Sequence, residues 1–73
     1  MTTLKAIKDK FAEHQRKGAN NTYMIPAKNT NGWYKDELLF VRKITNDNVT
    51  VFRSMDGKLY TLNATELIDF KLL

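Results

Sequence analysis

The residues of this chain that could do chemistry are few and scattered. One histidine, His14, and no cysteine occur among its 73 residues, so a thiolate nucleophile does not exist and His14 is the single imidazole. Apart from Asp9, Glu13 and Asp47, the carboxylates fall as Asp36 with Glu37, Asp56 alone, and Glu66 with Asp69, none at the spacing of a calcium loop or a glycosidase pair. Gly18, Gly32 and Gly57 are isolated, so no glycine-rich phosphate loop forms. Each of these residues has a plainer reading. His14 marks the edge of an apolar helical stripe, Asp56 makes a turn, and Glu66 caps one. A nucleophile, a base and an orienting acid cannot be assembled from the set. No catalytic residue, metal or cofactor is expected, and an enzyme is the class the sequence supports least.

Binding chemistry is better represented. Lys28, Lys35, Arg42, Lys43 and Arg53 are interleaved with Tyr23, Trp33, Tyr34 and Tyr60, and cations beside aromatic rings are what single-stranded nucleic-acid surfaces use for phosphate contact and base stacking. The same residue types anchor protein interfaces, because Trp, Tyr and Arg bury much area at low entropic cost. For Trp33 and Tyr60 plain packing ranks first, whereas Tyr23 and Tyr34 stand beside polar loops and divide evenly between packing and exposure. Arg42 and Arg53 are the sharpest anomaly. Both fall on a strand face that otherwise carries Phe40, Ile44, Val49, Val51 and Leu62, where two unpaired guanidinium groups would be costly to bury. They must open onto solvent at the strand ends or meet an anion, and with Lys28, Lys35 and Lys43 they outline a basic groove.

The overall charge is a weaker guide. Twelve Lys and Arg against eight Asp and Glu give +4, a balance compatible with a polyanionic partner without requiring one. Within residues 2–17, Lys5 stands four before Asp9, and Glu13 stands three and four before Arg16 and Lys17, so much of that segment's charge is arranged to pair internally. A functional basic surface must therefore come from the middle of the chain. The abundance of Asn and Lys is a bias that AT-rich genomes, those of many phages among them, also produce.

The elements that position these residues are legible in outline. Residues 2–17 form an amphipathic helix with Leu4, Ile7 and Phe11 on one face, Thr2 or Thr3 as its cap and Gly18 as the left-handed residue that ends it. A polar connection leads to a short strand at Tyr23, Met24 and Ile25, which Pro26 confines to a sheet edge or ends. Asn31 and Gly32 supply a turn before Trp33. From residue 37 to residue 54 the β signal is strong, with a turn at Asn46 and Asp47, and a second turn at Asp56 and Gly57 leads into residues 58–62. Asn63 and Glu66 have the spacing of a capping box that starts one helical turn, and Ile68, Phe70 and Leu72 alternate as a closing strand would.

Two-residue turns would set Ile44 opposite Val49, Arg42 opposite Val51, Val51 opposite Leu62 and Arg53 opposite Tyr60. The other face would carry Leu39, Val41, Phe52 and Leu59. Both faces are apolar, so the sheet should curl around Phe40, Ile44, Val49, Val51 and Leu62 while the helix lays Leu4, Ile7 and Phe11 over Leu39, Val41 and Phe52. A longer turn would shift the pairing yet keep the alternation.

This arrangement over residues 33–67, an aromatic start, an apolar strand ending in Ile44, Val49-x-Val51, the Asp56-Gly57 turn and a helical turn before a last strand, resembles the small SH3-like barrels that include Tudor and KOW modules. The resemblance implies a barrel of four to five strands and a binding role toward nucleic acid, modified peptides or proline-rich segments. The acidic cluster of peptide-binding SH3 domains, a methyl-lysine aromatic cage and a glycine-rich KOW signature are all missing here.

The expectation is a single domain over residues 1–73 of α+β class, mainly β, with an N-terminal helix on a small antiparallel, curled sheet. No stretch approaches the roughly 20 apolar residues of a membrane span. The charged beginning is unlike a signal peptide, and with the absence of cysteine it points to a cytoplasmic protein. The leading function is a non-enzymatic module that contacts nucleic acid, or a complex associated with it, through its basic and aromatic surface. The alternative is a protein-interaction factor, such as a small phage-type inhibitor or adaptor of a host protein, docking through the helix or a strand edge. A homo-oligomer is a third outcome, since so short a chain builds a thin core.

Overall fold

A computed structural model describes residues 3–18, 21–30 and 32–73. Thr2 and Asn31, named above for capping and turning, lie outside the described residues. Helix α1, Leu4–Arg16, begins at Thr3, whose side-chain oxygen accepts a hydrogen bond from the Ala6 N–H at 3.1 Å. Gly18 follows with φ +78°, the left-handed geometry a helix end favours. The expected ion pairs form, Lys5 with Asp9 and Lys17 with Glu13, each at 2.8 Å. Of the apolar stripe, Ile7 is fully buried, and Leu4 and Phe11 pack partly buried against the same core.

The strands are β1, Tyr23–Pro26; β2, Leu39–Ile44; β3, Asn48–Arg53; β4, Lys58–Asn63; and β5, Phe70–Leu72, with a 3₁₀ helix, Glu66–Asp69, between β4 and β5. They make one five-stranded antiparallel sheet in the order β4-β3-β2-β1-β5. The mainly β, α+β class is as expected. β1, however, is an interior strand, held between β2 and β5. Pro26 ends it instead of marking an edge, and the Pro26 carbonyl then accepts the Asp36 N–H at 3.1 Å. The capping box is present, with the Asn63 side chain accepting from the Glu66 N–H at 3.0 Å and the Glu66 carboxylate accepting from the Asn63 N–H at 3.1 Å. Ile68 belongs to this 3₁₀ helix and is exposed, so the last strand starts later, at Phe70.

Two departures from simple pairing occur, and only the second changes which side chains face inward. The β3–β4 hairpin pairs Arg53 with Lys58 and Val51 with Tyr60, so its turn spans residues 54–57 and the register moves by two. A shift of two preserves the alternation, and Val49, Val51 and Leu62 stay buried. The β2–β3 ladder contains a bulge. Val41 pairs with Val51 and Lys43 with Thr50, leaving Arg42 as the extra residue, while Ile44 still pairs with Val49 as expected. Because one residue is inserted, Leu39 and Val41 before the bulge share the inner face with Ile44 after it. The core is therefore one cluster: Ile7, Met24, Trp33, Leu39, Val41, Val49, Val51, Leu62, Leu67 and Phe70. Leu39 and Val41 do meet the helix's cluster, whereas Phe40, Phe52 and Leu59 are turned to the opposite face, against the expectation that Phe40 fills the interior and that the helix covers Phe52. Among the described residues no helix is long and apolar enough to cross a membrane.

Candidate functional site

The residues singled out in the sequence separate into two places. At one end of the sheet, the β3–β4 turn meets the loop before β2, and there Arg53 is 7% exposed. Its Nε donates to one oxygen of Glu37 at 2.8 Å, and Nη2 donates to the other at 3.0 Å and to the Gly32 carbonyl at 2.8 Å. The guanidinium carbon stands 4.8 Å from the Trp33 ring, 5.6 Å from Tyr34 and 5.9 Å from Tyr60. Burial disfavours the charge, but the hydrogen bonds and charge of Glu37 outweigh it, and the guanidinium is held above its ordinary pKa. Gly32, at φ +86°, turns its carbonyl toward this cluster, and Glu37 also accepts the Tyr34 N–H at 2.7 Å.

The surroundings complete a closed network. Trp33, buried, packs edge-on against Tyr60 at 5.1 Å and Phe70 at 5.5 Å. Asp56 accepts the Tyr60 hydroxyl proton in a hydrogen bond and lies 3.9 Å from Arg53. That bond draws the Asp56 carboxyl below its ordinary pKa and pushes the Tyr60 phenol above its own. Arg53 thus neither opens to solvent nor waits for an external anion, since Glu37 supplies the anion from within the chain. Packing comes first for Trp33 and Tyr60, and Tyr34 is 55% exposed at the rim.

The second place is the outer face of the sheet. Tyr23 pairs with Phe40, Phe40 with Phe52 and Phe52 with Leu59, so one row of side chains crosses β1, β2, β3 and β4 in direct register. Ring centroids are 4.9 Å apart for Tyr23 and Phe40 and 6.0 Å for Phe40 and Phe52. The three rings are half-buried and Leu59 is 62% exposed. At the β1 end Leu73, itself exposed, donates its N–H to the Tyr23 carbonyl at 3.0 Å.

Cations flank this row on both sides. Toward the β2–β3 turn are Arg42, whose guanidinium carbon stands 5.5 Å over the Phe52 ring, and Lys43, paired across the ladder with Thr50. On the other side is Lys71, paired with Ile25. Among the described residues, no carboxylate stands on this face of the strands, and none forms an ion pair with Arg42, Lys43 or Lys71. The face therefore offers π surfaces and unneutralised positive charge side by side.

The remaining expected residues lie away from the row. Lys28 is exposed and pairs with Asp69 at 3.7 Å. Lys35 is exposed in the loop before β2, where its backbone N–H binds the Asn29 side chain at 2.7 Å. His14 bonds the buried Thr22 hydroxyl at 2.8 Å, a docking contact for the end of α1. Of the nine residues named from sequence, the structure gathers Tyr23, Arg42 and Lys43 on the outer face, and Trp33, Tyr60 and the exposed Tyr34 around the buried Arg53. Phe40, Phe52 and Lys71 were missed as surface residues, because the alternation alone assigned both phenylalanines to packing. Comparison with protein-family models, with curated proteins and with solved structures returns no match.

Proposed function

We propose that this protein is a non-enzymatic, cytoplasmic binding module that contacts nucleic acid through the outer face of its sheet. The observation that carries the reading is the Tyr23–Phe40–Phe52 row bordered by Arg42, Lys43 and Lys71 with no carboxylate on that face among the described residues. A polyanion is attracted to such a surface by releasing its own counterions, and the rings add contact area that water solvates poorly. The 3₁₀ helix leading into the last strand supports treating the fold as a relative of the SH3-like barrels.

A titration with labelled DNA and RNA over a series of salt concentrations tests the reading. Affinity should fall linearly with the logarithm of salt, and each of Arg42→Ala, Lys43→Ala and Lys71→Ala should reduce the slope by about 0.7 to 0.9. Absence of binding at low salt overturns it.

A protein partner on the same face is the second reading, favoured by one observation. Leu38, Leu59 and Leu73 are 47%, 62% and 52% exposed, and aliphatic side chains of that kind serve hydrophobic docking better than phosphate contact. Replacing Leu59 and Leu73 by Ser would then abolish capture of the partner while the three basic substitutions change little.

A further inference from the structure

Resting on that reading, we infer that the nucleic acid held by this face is single-stranded, with its bases laid along the Tyr23–Phe40–Phe52 row and its phosphates directed to Arg42 and Lys43 on one side and Lys71 on the other. A duplex hides its base faces in its own stack and presents phosphates alone. Cations would suffice to bind it, and a row of aromatic rings would contribute nothing specific. A single strand can splay its bases onto rings, and any base has a π face to offer.

The geometry suits successive bases. Antiparallel strands bring directly paired residues on one face close together, and here the rings follow one another at 4.9 and 6.0 Å across three strands. Phe40 and Phe52 are inclined by only 31°, so neighbouring bases could meet them in similar orientations. Tyr23 meets Phe40 in a T-shaped contact at 78°, which couples the orientations of the two rings. Arg42 already lies over Phe52. A planar guanidinium can stack on a base as readily as on a ring, so Arg42 serves both the stack and the adjoining phosphate. The bulge places it there, since a regular ladder would give β2 no extra residue at this point.

The experiment compares a fluorescein-labelled mixed-sequence DNA oligonucleotide, single-stranded and annealed to its complement, against the intact chain, Phe40→Leu and Phe52→Leu. Leucine keeps an apolar side chain in the row but removes the π face. The single strand should bind more tightly than the duplex. Each Leu variant should lose about 5- to 150-fold in single-strand affinity with an unchanged salt slope, and Phe40→Trp should retain binding. Trp33, buried in the Arg53 cluster away from the row, reports by its fluorescence that each Leu variant is folded. Equal affinity for duplex and single strand, or Leu variants that bind like the intact chain, overturns the single-strand inference and leaves nucleic-acid binding standing. Failure of both probes to bind at low salt overturns both.

Discussion

Arg42 and Arg53 lie on adjacent strands, each with its guanidinium over an aromatic ring, yet they have opposite surroundings. Arg53 is buried against Trp33 and Tyr60 with Tyr34 at the rim, is held by both oxygens of Glu37, and also binds the Gly32 carbonyl. Arg42 is exposed on the outer face over Phe52, without a carboxylate partner among the described residues. The difference shows that a basic residue beside aromatics is not in itself a binding signal. What separates a structural cation from an available one is whether the fold has brought a carboxylate to it. For a buried guanidinium that partner is obligatory, because an isolated charge in a dry interior would not be tolerated.

Breaking the Arg53 cluster should give the largest effect. Glu37→Ala leaves a buried guanidinium without its anion and should cost about 3–5 kcal/mol of folding stability, measured by urea unfolding, whereas Arg42→Ala should leave the unfolding midpoint close to that of the native chain. Comparable losses in the two variants would erase the distinction between the arginines. Next in size, the double variant Arg53→Met with Glu37→Leu should recover much of what Glu37→Ala loses, since an apolar pair of similar volume has no desolvation penalty to offset. A double variant less stable than Glu37→Ala would show that the hydrogen bonds to Gly32 and the ring contacts, not the charge pairing, dominate.

The pH response sharpens the comparison at a smaller scale. Asp56 has a folded pKa below its unfolded one, so its contribution is present above about pH 4 and is lost as pH falls through the folded value. Tyr60 has a folded pKa above its unfolded one, so its contribution is present below about pH 10 and is lost as pH rises through the folded value. Both directions arise first from the single hydrogen bond between the two. Thermal melts of Tyr60→Phe should therefore show a flatter dependence in both acid and alkali, and an unchanged profile would count against the network. The smallest change belongs to the exposed helix pairs. Lys5→Gln should shift the melting midpoint slightly, and added salt should remove the shift.

The parts of this fold that could be read in advance are those in which local chemistry has one solution. The helix with its Thr3 cap and Gly18 end, the strong β region, the turn at Asn46 and Asp47 and the Asn63–Glu66 capping box all follow from residues close in the chain. The facing of β2 does not. Leu39, Phe40 and Val41 are apolar at every position, so alternation permits either parity, and only the bulge at Arg42 selects the one that buries Leu39 and Val41 and turns Phe40 outward. Glu37 as the partner of Arg53 was equally hidden, because the two are brought together by a turn and a register shift that no short motif encodes. The candidate surface was thus half visible: its cations Arg42 and Lys43 and its ring Tyr23 were named, while the two phenylalanines that join them were assigned to packing.

The strand order has a further consequence for how this surface comes into being. β2, β3 and β4 follow one another through short turns, so their pairings close small loops at little entropic cost, while β1 meets β5 only across most of the chain. Contacts that join distant segments dominate the folding barrier, and the local meander is the natural early structure. Phe40, Phe52 and Leu59 would thus come together first, as a hydrophobic strip on an incomplete sheet, with Tyr23 and Leu73 added at chain closure. Until then the strip stands beside an unpaired β2 edge, a combination that favours self-association. The segment that gives the finished molecule its candidate binding face is also the one most exposed to misassembly while the chain is still folding.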